Sequence, residues 1–268
     1  MTQGHATLTL NDMIAEIVFT NPDEGFMDET MEAELLAAIE TVTGDPKVRV
    51  CVLAGGQAGV FIRHYDLKVL APKAAAMSAR GLTFTTDRPV PEAPIHTAMR
   101  MMEQSHVIFI GAMTGTAMGG GFELSLACDL RVVQEGNHEF GLPEINLGIL
   151  PGAGGTQRLP QIVGQSRALQ MTLTGQTLSP AQMVEFGLAL SCVPDARTEA
   201  LALAQRMARK PAQAAAHIKR LVRRAVSARA DDFADERTLF CDLMVQPDAA
   251  RLLAEGASGQ RRITDEPL

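Results

Sequence analysis

The sequence predicts an α/β protein, because strand-like and helix-like segments alternate along most of its length. The first observation is an alternating run at Ala6–Leu10 and an apolar run at Ile14–Phe19, which predict a hairpin that turns at Asn11-Asp12. The second is a helical pattern that follows Asp28, and the third is an apolar run at Val48–Leu53 that predicts a buried strand. Strand, helix and strand in this order are typical of the start of an α/β fold.

The helix after Asp28 has a start signal, an apolar face and a stop signal. Asp28 is the predicted N-cap, and Gly44-Asp45-Pro46 is expected to end the helix. Its apolar side chains recur at helical spacing, which predicts one buried face: Met31, Leu35, Ile39 and Val42. The strand that follows is expected to break at Gly55-Gly56.

The segment from Val69 to Pro94 is the least regular part of the chain. It is rich in alanine and contains several prolines, so we expect a long surface excursion, which in a compact domain is functional or disordered. The rhythm then resumes with a predicted helix at Ile95–Ser105 and a predicted strand at Val107–Ala112.

The second half of the chain contains further helix and strand signals and then becomes purely helical. A glycine-rich stretch leads into a helix that ends at Cys128, and a strand is expected at Leu130–Val133. Ser179-Pro180-Ala181-Gln182 is a capping box, and from about Arg197 the pattern is helical only. We therefore expect an α/β core over residues 1–196 and a helical C-terminal region over residues 197–268.

Composition narrows the class of protein. The chain has 268 residues, 46% of them hydrophobic and 21% charged, which is typical of a globular protein with a sizeable core. The formal charge of −7 argues against a nucleic-acid or anionic-membrane surface. The N-terminal MTQGHATLTLND lacks the features of a leader, and no apolar run approaches the roughly 20 residues of a membrane span, so a cytoplasmic protein is expected.

The cysteines and histidines suggest no metal site. The 4 cysteines are scattered without a CxxC pair, and the histidines are not clustered. Neither a disulfide framework nor a bound metal is therefore expected.

The stretch MGGGFELSLACDL, residues 118–130, is the most informative chemical signal. A helix start carries unpaired N–H groups and the positive end of the helix dipole, and glycines at Gly119, Gly120 and Gly121 let a ligand approach those groups. Such a start binds a phosphate or an oxyanion, and the chain lacks the GxxxxGK[ST] phosphate motif. Glu123 either complements the dipole or acts as an acid or base beside an enolate-like oxygen.

Two further stretches supply a resemblance to a known family. FGLPE over residues 140–144 and GILPGAGGTQRL over residues 148–159, together with GGGFELSLACDL, closely resemble the crotonase (enoyl-CoA hydratase/isomerase) superfamily. The match is dense from Thr114 to Gly164. The resemblance implies an α/β fold with a crotonase-like spiral of ββα turns, followed by a C-terminal helical region that mediates oligomerisation.

Family members hold a thioester carbonyl between two backbone N–H groups. The resemblance assigns one of these oxyanion-hole donors to Gly120. The second lies in a loop that usually reads FxxGxD and here reads FIRHYD, residues 61–66, which assigns the donor to Tyr65. His64 stands where the family has a glycine, and His64, Arg63 and Asp66 are candidate substrate-binding residues. The alternative for Arg63 is that it is a solvated surface residue with no contact to coenzyme A.

Family hydratases use two glutamates, and both positions are filled here. Glu123 would hold and activate a water molecule, and Glu144 would exchange the proton at the α-carbon. The resemblance thus implies an enoyl-CoA hydratase that needs no cofactor, since coenzyme A is part of the substrate.

Two alternative functions remain open. The resemblance also implies an oligomeric state. One alternative is an enoyl-CoA isomerase or acyl-CoA thioester hydrolase on the same scaffold. The other is a non-catalytic CoA-ester-binding paralogue, which is motivated by His64 and the unusual segment that follows it. In either case the family leads us to expect a homotrimer or homohexamer that binds acyl-CoA thioesters.

Overall fold

The computed structural model of the protein describes residues 3–225 except 23, 83–86 and 88–89, together with residue 260. Most of the C-terminal region predicted to be helical, residues 197–268, lies outside the described residues.

The described residues form two β-sheets. The larger sheet has six strands in the order β1, β2, β3, β5, β7, β10. Its strands are β1 His5–Asn11, β2 Ile14–Thr20, β3 Val50–Gly55, β5 Ile108–Met113, β7 Leu130–Gln134 and β10 Cys192–Val193. The smaller sheet has four strands in the order β4, β6, β8, β9. They are β4 Gly59–Ile62, β6 Gly115–Met118, β8 Phe140–Gly141 and β9 Thr177–Leu178.

Helices separate the strand pairs. Nine α-helices occur in the described ranges: α1 Glu29–Gly44, α2 Leu67–Ala79, α3 Pro94–Gln104, α4 Gly119–Ala127, α5 Gly155–Val163, α6 Gln165–Thr174, α7 Pro180–Glu185, α8 Ala196–Ala208 and α9 Ala212–Arg224. A 3₁₀ helix, Glu144–Leu147, follows β8.

The chain winds as a spiral in which each turn contributes one strand to each sheet. Strands β3, β5 and β7 are parallel neighbours in the larger sheet, and β4, β6 and β8 are parallel neighbours in the smaller one. Each strand pair is followed by helical chain: β3 and β4 by α2 and α3, β5 and β6 by α4, and β7 and β8 by the 3₁₀ helix and α5. The predicted α/β class and its ββα repeat are confirmed.

Two local predictions need correction. Strand β1 extends through Asn11, so the hairpin turns at Asp12-Met13, where Asp12 has a φ of 52°. The segment predicted to be an irregular excursion instead begins as helix α2, Leu67–Ala79, capped by Asp66. No side chain of α2 is buried, which explains why it lacks the apolar periodicity that predicts a helix.

Helix α8 packs on the larger sheet. Ala200, Ala204 and Ala208 are buried in one apolar cluster with β3 and β5 residues such as Val52 and Ile110. The boundary predicted between residues 196 and 197 therefore falls in the first turn of a helix that covers the sheet. The division into two domains stays a prediction.

Within the described ranges, no helix combines the length and the apolar character needed to span a lipid bilayer.

Candidate active site

A cavity of about 620 Å³ lies where the smaller sheet meets the start of α4. Its wall comes from the loop between β4 and α2, from α2, from the start of α3, and from the 3₁₀ helix with the chain that follows it. Of the residues predicted to do chemistry or to hold the carbonyl, all four line this cavity: Tyr65, Gly120, Glu123 and Glu144.

The three glycines form the first turn of α4 rather than preceding it. Gly121 has no room for a side chain, since a β-carbon there would lie 2.2 Å from the Ile62 carbonyl oxygen. At Gly120, in contrast, the nearest neighbours of a β-carbon would be Tyr65 and Ile95 atoms at 3.9 and 4.0 Å. The second N–H of a helix has no intrahelical acceptor, so the Gly120 N–H needs a partner from outside α4, and Gly120 lines the cavity. Glu123 is consequently the fifth helical residue and not a residue of the first turn, which is where a carboxylate that complements the helix dipole is expected.

Tyr65 lies opposite Gly120. It forms a parallel bridge with Met27, in which the Met27 N–H donates to His64 O at 2.9 Å and the Asp66 N–H donates to Met27 O at 2.7 Å. In a parallel ladder, the residue between these two directs its own N–H to the other side. The Tyr65 N–H therefore points away from Met27, and the β-carbon of Tyr65 lies close to Gly120.

Glu123 is a buried carboxylate held by backbone donors. Glu123 is only 2% exposed. Its Oε1 accepts hydrogen bonds of 2.7 Å from the N–H groups of both Ala153 and Gly155. Burial raises the pKa of Glu123, and these two hydrogen bonds oppose that shift. Because both bonds fall on Oε1, the oxygen Oε2 stays available for a ligand in the cavity.

Glu144 opens the 3₁₀ helix and faces the same cavity. Burial raises its pKa to about 7, with a smaller contribution from the charge of Glu123. Its Oε2 is buried and has no hydrogen-bond partner among the described residues. With a pKa of about 7, a substantial fraction of the Glu144 carboxyl groups is protonated at neutral pH. The Oε2 atom is the oxygen from which that proton can be donated.

The other predicted contacts differ in their positions. His64 lines the cavity, donates from Nδ1 to Tyr65 O at 2.8 Å, and stacks on Phe26 with ring centroids 4.4 Å apart. Its φ is not positive, so this loop does not require a glycine at position 64. Arg63 and Asp66 lie outside the cavity wall: Arg63 Nε donates to Glu24 O, and Asp66 caps α2 through the Lys68 N–H.

Sequence reasoning missed much of this wall, including two residues whose hydrogen bonds connect parts of the site. His96 Nδ1 accepts from the Ala93 N–H at 3.1 Å, and its Nε2 donates to Gly152 O at 2.9 Å. It thereby ties the start of α3 to the loop that holds Glu123. Glu32 of α1 also lines the cavity and accepts from the Tyr65 hydroxyl. The contacts of His96 with Gly152 and of Glu32 with Tyr65 join positions far apart in the chain, so no local motif marks them.

Over the part of the chain with described positions, no group of three or more His, Cys, Asp or Glu side chains is placed to hold a metal ion.

Comparison with known proteins identifies the family. The family model for enoyl-CoA hydratase/isomerase matches residues 9–257. The chain belongs to the enoyl-CoA hydratase/isomerase family. Membership accounts for the spiral fold.

Solved structures of similar proteins agree with this assignment. An enoyl-CoA hydratase from Bacillus anthracis is 26% identical, with a TM-score of 0.83 and coverage of 98% of both chains. DspI from Pseudomonas aeruginosa is 28% identical, with a TM-score of 0.81, and the match covers 98% of this chain and 95% of DspI. The crotonase-like fold predicted by resemblance is confirmed.

Curated relatives of this family member are longer proteins. The fatty acid oxidation complex subunit alpha of Shewanella amazonensis is 34% identical over 183 residues, which is 66% of this chain and 25% of that protein. The chain thus matches about a quarter of the length of such a relative.

Proposed function

We propose that the protein is an enoyl-CoA hydratase. The observation that carries this proposal is the pair of carboxyl groups in one cavity. Glu123 is held by two backbone donors, and the buried Oε2 of Glu144 has no hydrogen-bond partner in the described part of the chain. Addition of water to a double bond needs a base for the water and an acid for the α-carbon. Two carboxyl groups whose environments differ supply both.

In the proposed mechanism, the thioester oxygen accepts hydrogen bonds from the N–H groups of Gly120 and Tyr65. Glu123 Oε2 binds a water molecule and takes one of its protons while the oxygen attacks the β-carbon. The electron pair moves through the α-carbon to the thioester oxygen, where the two N–H donors stabilise the resulting enolate. Glu144 then donates its proton to the α-carbon, which completes the addition of water.

The protonation states suit these roles. A pKa of about 7 keeps a substantial fraction of Glu144 protonated at neutral pH, as a proton donor requires. Glu123 must be ionised to act as a base, and the Ala153 and Gly155 N–H groups favour the ionised form against the effect of burial.

The runner-up is another reaction on the same enolate scaffold. Double-bond isomerisation moves one proton between carbons and needs only one carboxyl group, whereas thioester hydrolysis releases free coenzyme A. Incubation with crotonyl-CoA and longer 2-enoyl-CoAs separates these outcomes: hydration removes the absorbance of the conjugated thioester and yields a 3-hydroxyacyl-CoA. Release of free thiol without a 3-hydroxyacyl-CoA would favour a hydrolase. No turnover of any enoyl-CoA would favour a non-catalytic protein that binds CoA esters.

We further propose that the protein assembles as a homotrimer or homohexamer. Leu147, Ile149 and Leu150 at the rim of the cavity are 56%, 50% and 69% exposed in the single chain, and Leu173 of α6 is 66% exposed. Apolar groups exposed to this extent are expected to be buried against a second copy. Sedimentation of the intact chain should give a mass that is a multiple of three subunits, and a stable monomer would contradict this.

A further inference from the structure

One part of the cavity wall has no role in the mechanism above. Glu32 lies on α1, one tyrosine side chain away from the Tyr65 backbone N–H, and lines the same cavity. It is only 6% exposed. Its neighbours in the wall include the apolar side chains of Leu70 and Ile95. A carboxylate in such a wall is costly unless its oxygens are well partnered.

The partners of Glu32 satisfy it incompletely. Oε2 accepts from the Tyr65 hydroxyl at 3.1 Å, and Oε1 accepts a long bond of 3.4 Å from the Ile95 N–H at the start of α3. Among the described residues, no Lys, Arg or His nitrogen lies within salt-bridge distance of this carboxylate. An ionised carboxylate accepts about four hydrogen bonds, so roughly half of its capacity is unused.

Tyr65 cannot act as the anion of this pair. Burial, and next to it the charge of Glu32, raise the pKa of the Tyr65 hydroxyl. The hydroxyl therefore stays protonated and donates to Glu32. The groups that this pair can offer to a ligand in the cavity they both line are the remaining lone pairs of the Glu32 carboxylate and of the phenol oxygen. Because the carboxylate and the phenol oxygen both offer acceptors, a ligand group that binds them must be a hydrogen-bond donor.

The wall also limits the charge of that donor. Lys73 of α2 lines the cavity and pairs with Glu29, one turn before Glu32 on α1, at 2.5 Å. An ammonium group on a ligand would meet this lysine, whereas a neutral hydroxyl group would not be repelled.

We propose that Glu32 is a specificity-determining residue that selects acyl-CoA thioesters with a hydroxyl group on the acyl chain beyond the β-carbon. This inference rests on the proposed binding of an acyl-CoA in this cavity. The hydroxyl donates to Glu32, and the Tyr65 ring fills the wall between that contact and the thioester.

The test measures binding, so it does not depend on turnover. Saturated acyl-CoAs of equal length, one ending in a methyl and one in a hydroxyl group, are titrated calorimetrically over several chain lengths. We expect the wild-type protein to bind the hydroxyl-ended ligand at the best length at least about 10 times more tightly than its methyl-ended match, since a site built for a hydroxyl rejects the analogue that lacks it. Equal affinity at every length would overturn the proposal. Failure to hydrate enoyl-CoAs, with this preference intact, would overturn only the proposed reaction.

Three variants locate the preference. Glu32→Leu should abolish it, because the acceptor is removed, whereas Glu29→Gln should keep it, because Glu29 is an exposed neighbour on the same helix. Tyr65→Phe should also keep it, because the carboxylate remains. If Tyr65→Phe abolished the preference as fully as the Glu32 variant, Glu32 would only orient the tyrosine and the proposal would be wrong. Should Glu32→Leu fail to fold, Glu32→Gln replaces it and should reduce the preference at least about 3-fold, because hydrogen bonds to charged groups are the stronger ones.

Discussion

The carboxyl group of Glu144 lies against Gly119, the first residue of α4. A β-carbon built on Gly119 would lie 3.0 Å from Glu144 Oε1, and Gly119 has a φ of 49°. Glycine at this position therefore serves two purposes: it permits the left-handed backbone at the helix start, and it leaves space for the carboxyl group.

Gly119→Ala tests this contact. The substitution should cost about 1–2 kcal/mol in the free energy of unfolding, because a residue with a β-carbon is strained at positive φ. It should also displace Glu144 and lower kcat by at least about 10-fold. Thermal denaturation and steady-state kinetics measure the two effects. Gly187→Ala is a matched control, because Gly187 has a φ of 73° and open space around it but does not line the cavity. Equal kinetics in both variants would show that Glu144 does not depend on Gly119.

The pH dependence of stability tests the ionisation of Glu144. Its pKa is raised to about 7 in the folded protein, whereas an unfolded glutamate has a pKa of about 4.3. Folding thus favours the protonated form, so the stabilising contribution is fully present below about pH 4 and is lost as pH rises through about 7. Glu144→Gln stays neutral and avoids this loss.

We expect Glu144→Gln to gain about 1 kcal/mol relative to wild type between pH 5 and pH 8.5, or about 2–4 °C in Tm, since partial exposure reduces the effect. Differential scanning calorimetry at the two pH values measures it. A Tm difference that does not change with pH would show that the carboxyl group has an ordinary pKa. The same ionisation predicts that the rate of hydration falls above about pH 7, because the proton donor is lost.

Tyr65 should contribute through its backbone rather than its phenol. Tyr65→Pro removes the N–H but spares the Met27 bridge, which uses the His64 carbonyl and the Asp66 N–H. We expect a loss of about 10² or more in kcat, as for removal of one oxyanion donor. Tyr65→Ala keeps the N–H and should change acyl preference more than the best rate. If Tyr65→Pro stayed fully active, its N–H would not be a donor to the thioester.

His96 should act on the reaction through Glu123. It anchors Gly152 O, and the neighbouring Ala153 N–H holds Glu123 Oε1. His96→Ala should lower kcat by about 10-fold with little change in KM, because the anchor for the base loosens while the substrate contacts remain. Arg100→Ala is the control, since Arg100 lies on the same helix but pairs with Glu92 at the surface. A variant in which KM rises and kcat is unchanged would place His96 in substrate binding instead.

The sequence predicted elements whose side chains pack into the core, either at alternate positions, as in β2, or at every position, as in β3 and β5. Asp28 caps α1 as expected, and its Oδ1 accepts from the Met31 N–H at 2.9 Å. Helix α2 escaped prediction because no side chain in it is buried and Pro72 lies inside it. The GGGFE motif located one wall of the cavity, but the motif alone could not show that its glycines are helical.

The remaining site residues depend on contacts between distant segments. Glu32 meets Tyr65 only because α1 packs beside the loop after β4, and His96 meets Gly152 only because α3 packs beside the loop before α5. Neither contact leaves a local pattern. The resemblance supplied Tyr65 and Glu144, whereas physical reasoning on the residues alone reached only the glycines and Glu123.

The central claim is that two carboxyl groups add water to an enoyl-CoA, and the most direct test is the rate of crotonyl-CoA hydration by Glu123→Gln and Glu144→Gln. Each variant should lower kcat by about 10² to 10⁴ while remaining folded at the assay temperature, because each removes one proton-transfer group. Near-full activity in either variant, measured on the same substrate and at the same pH as wild type, would contradict the two-carboxylate mechanism.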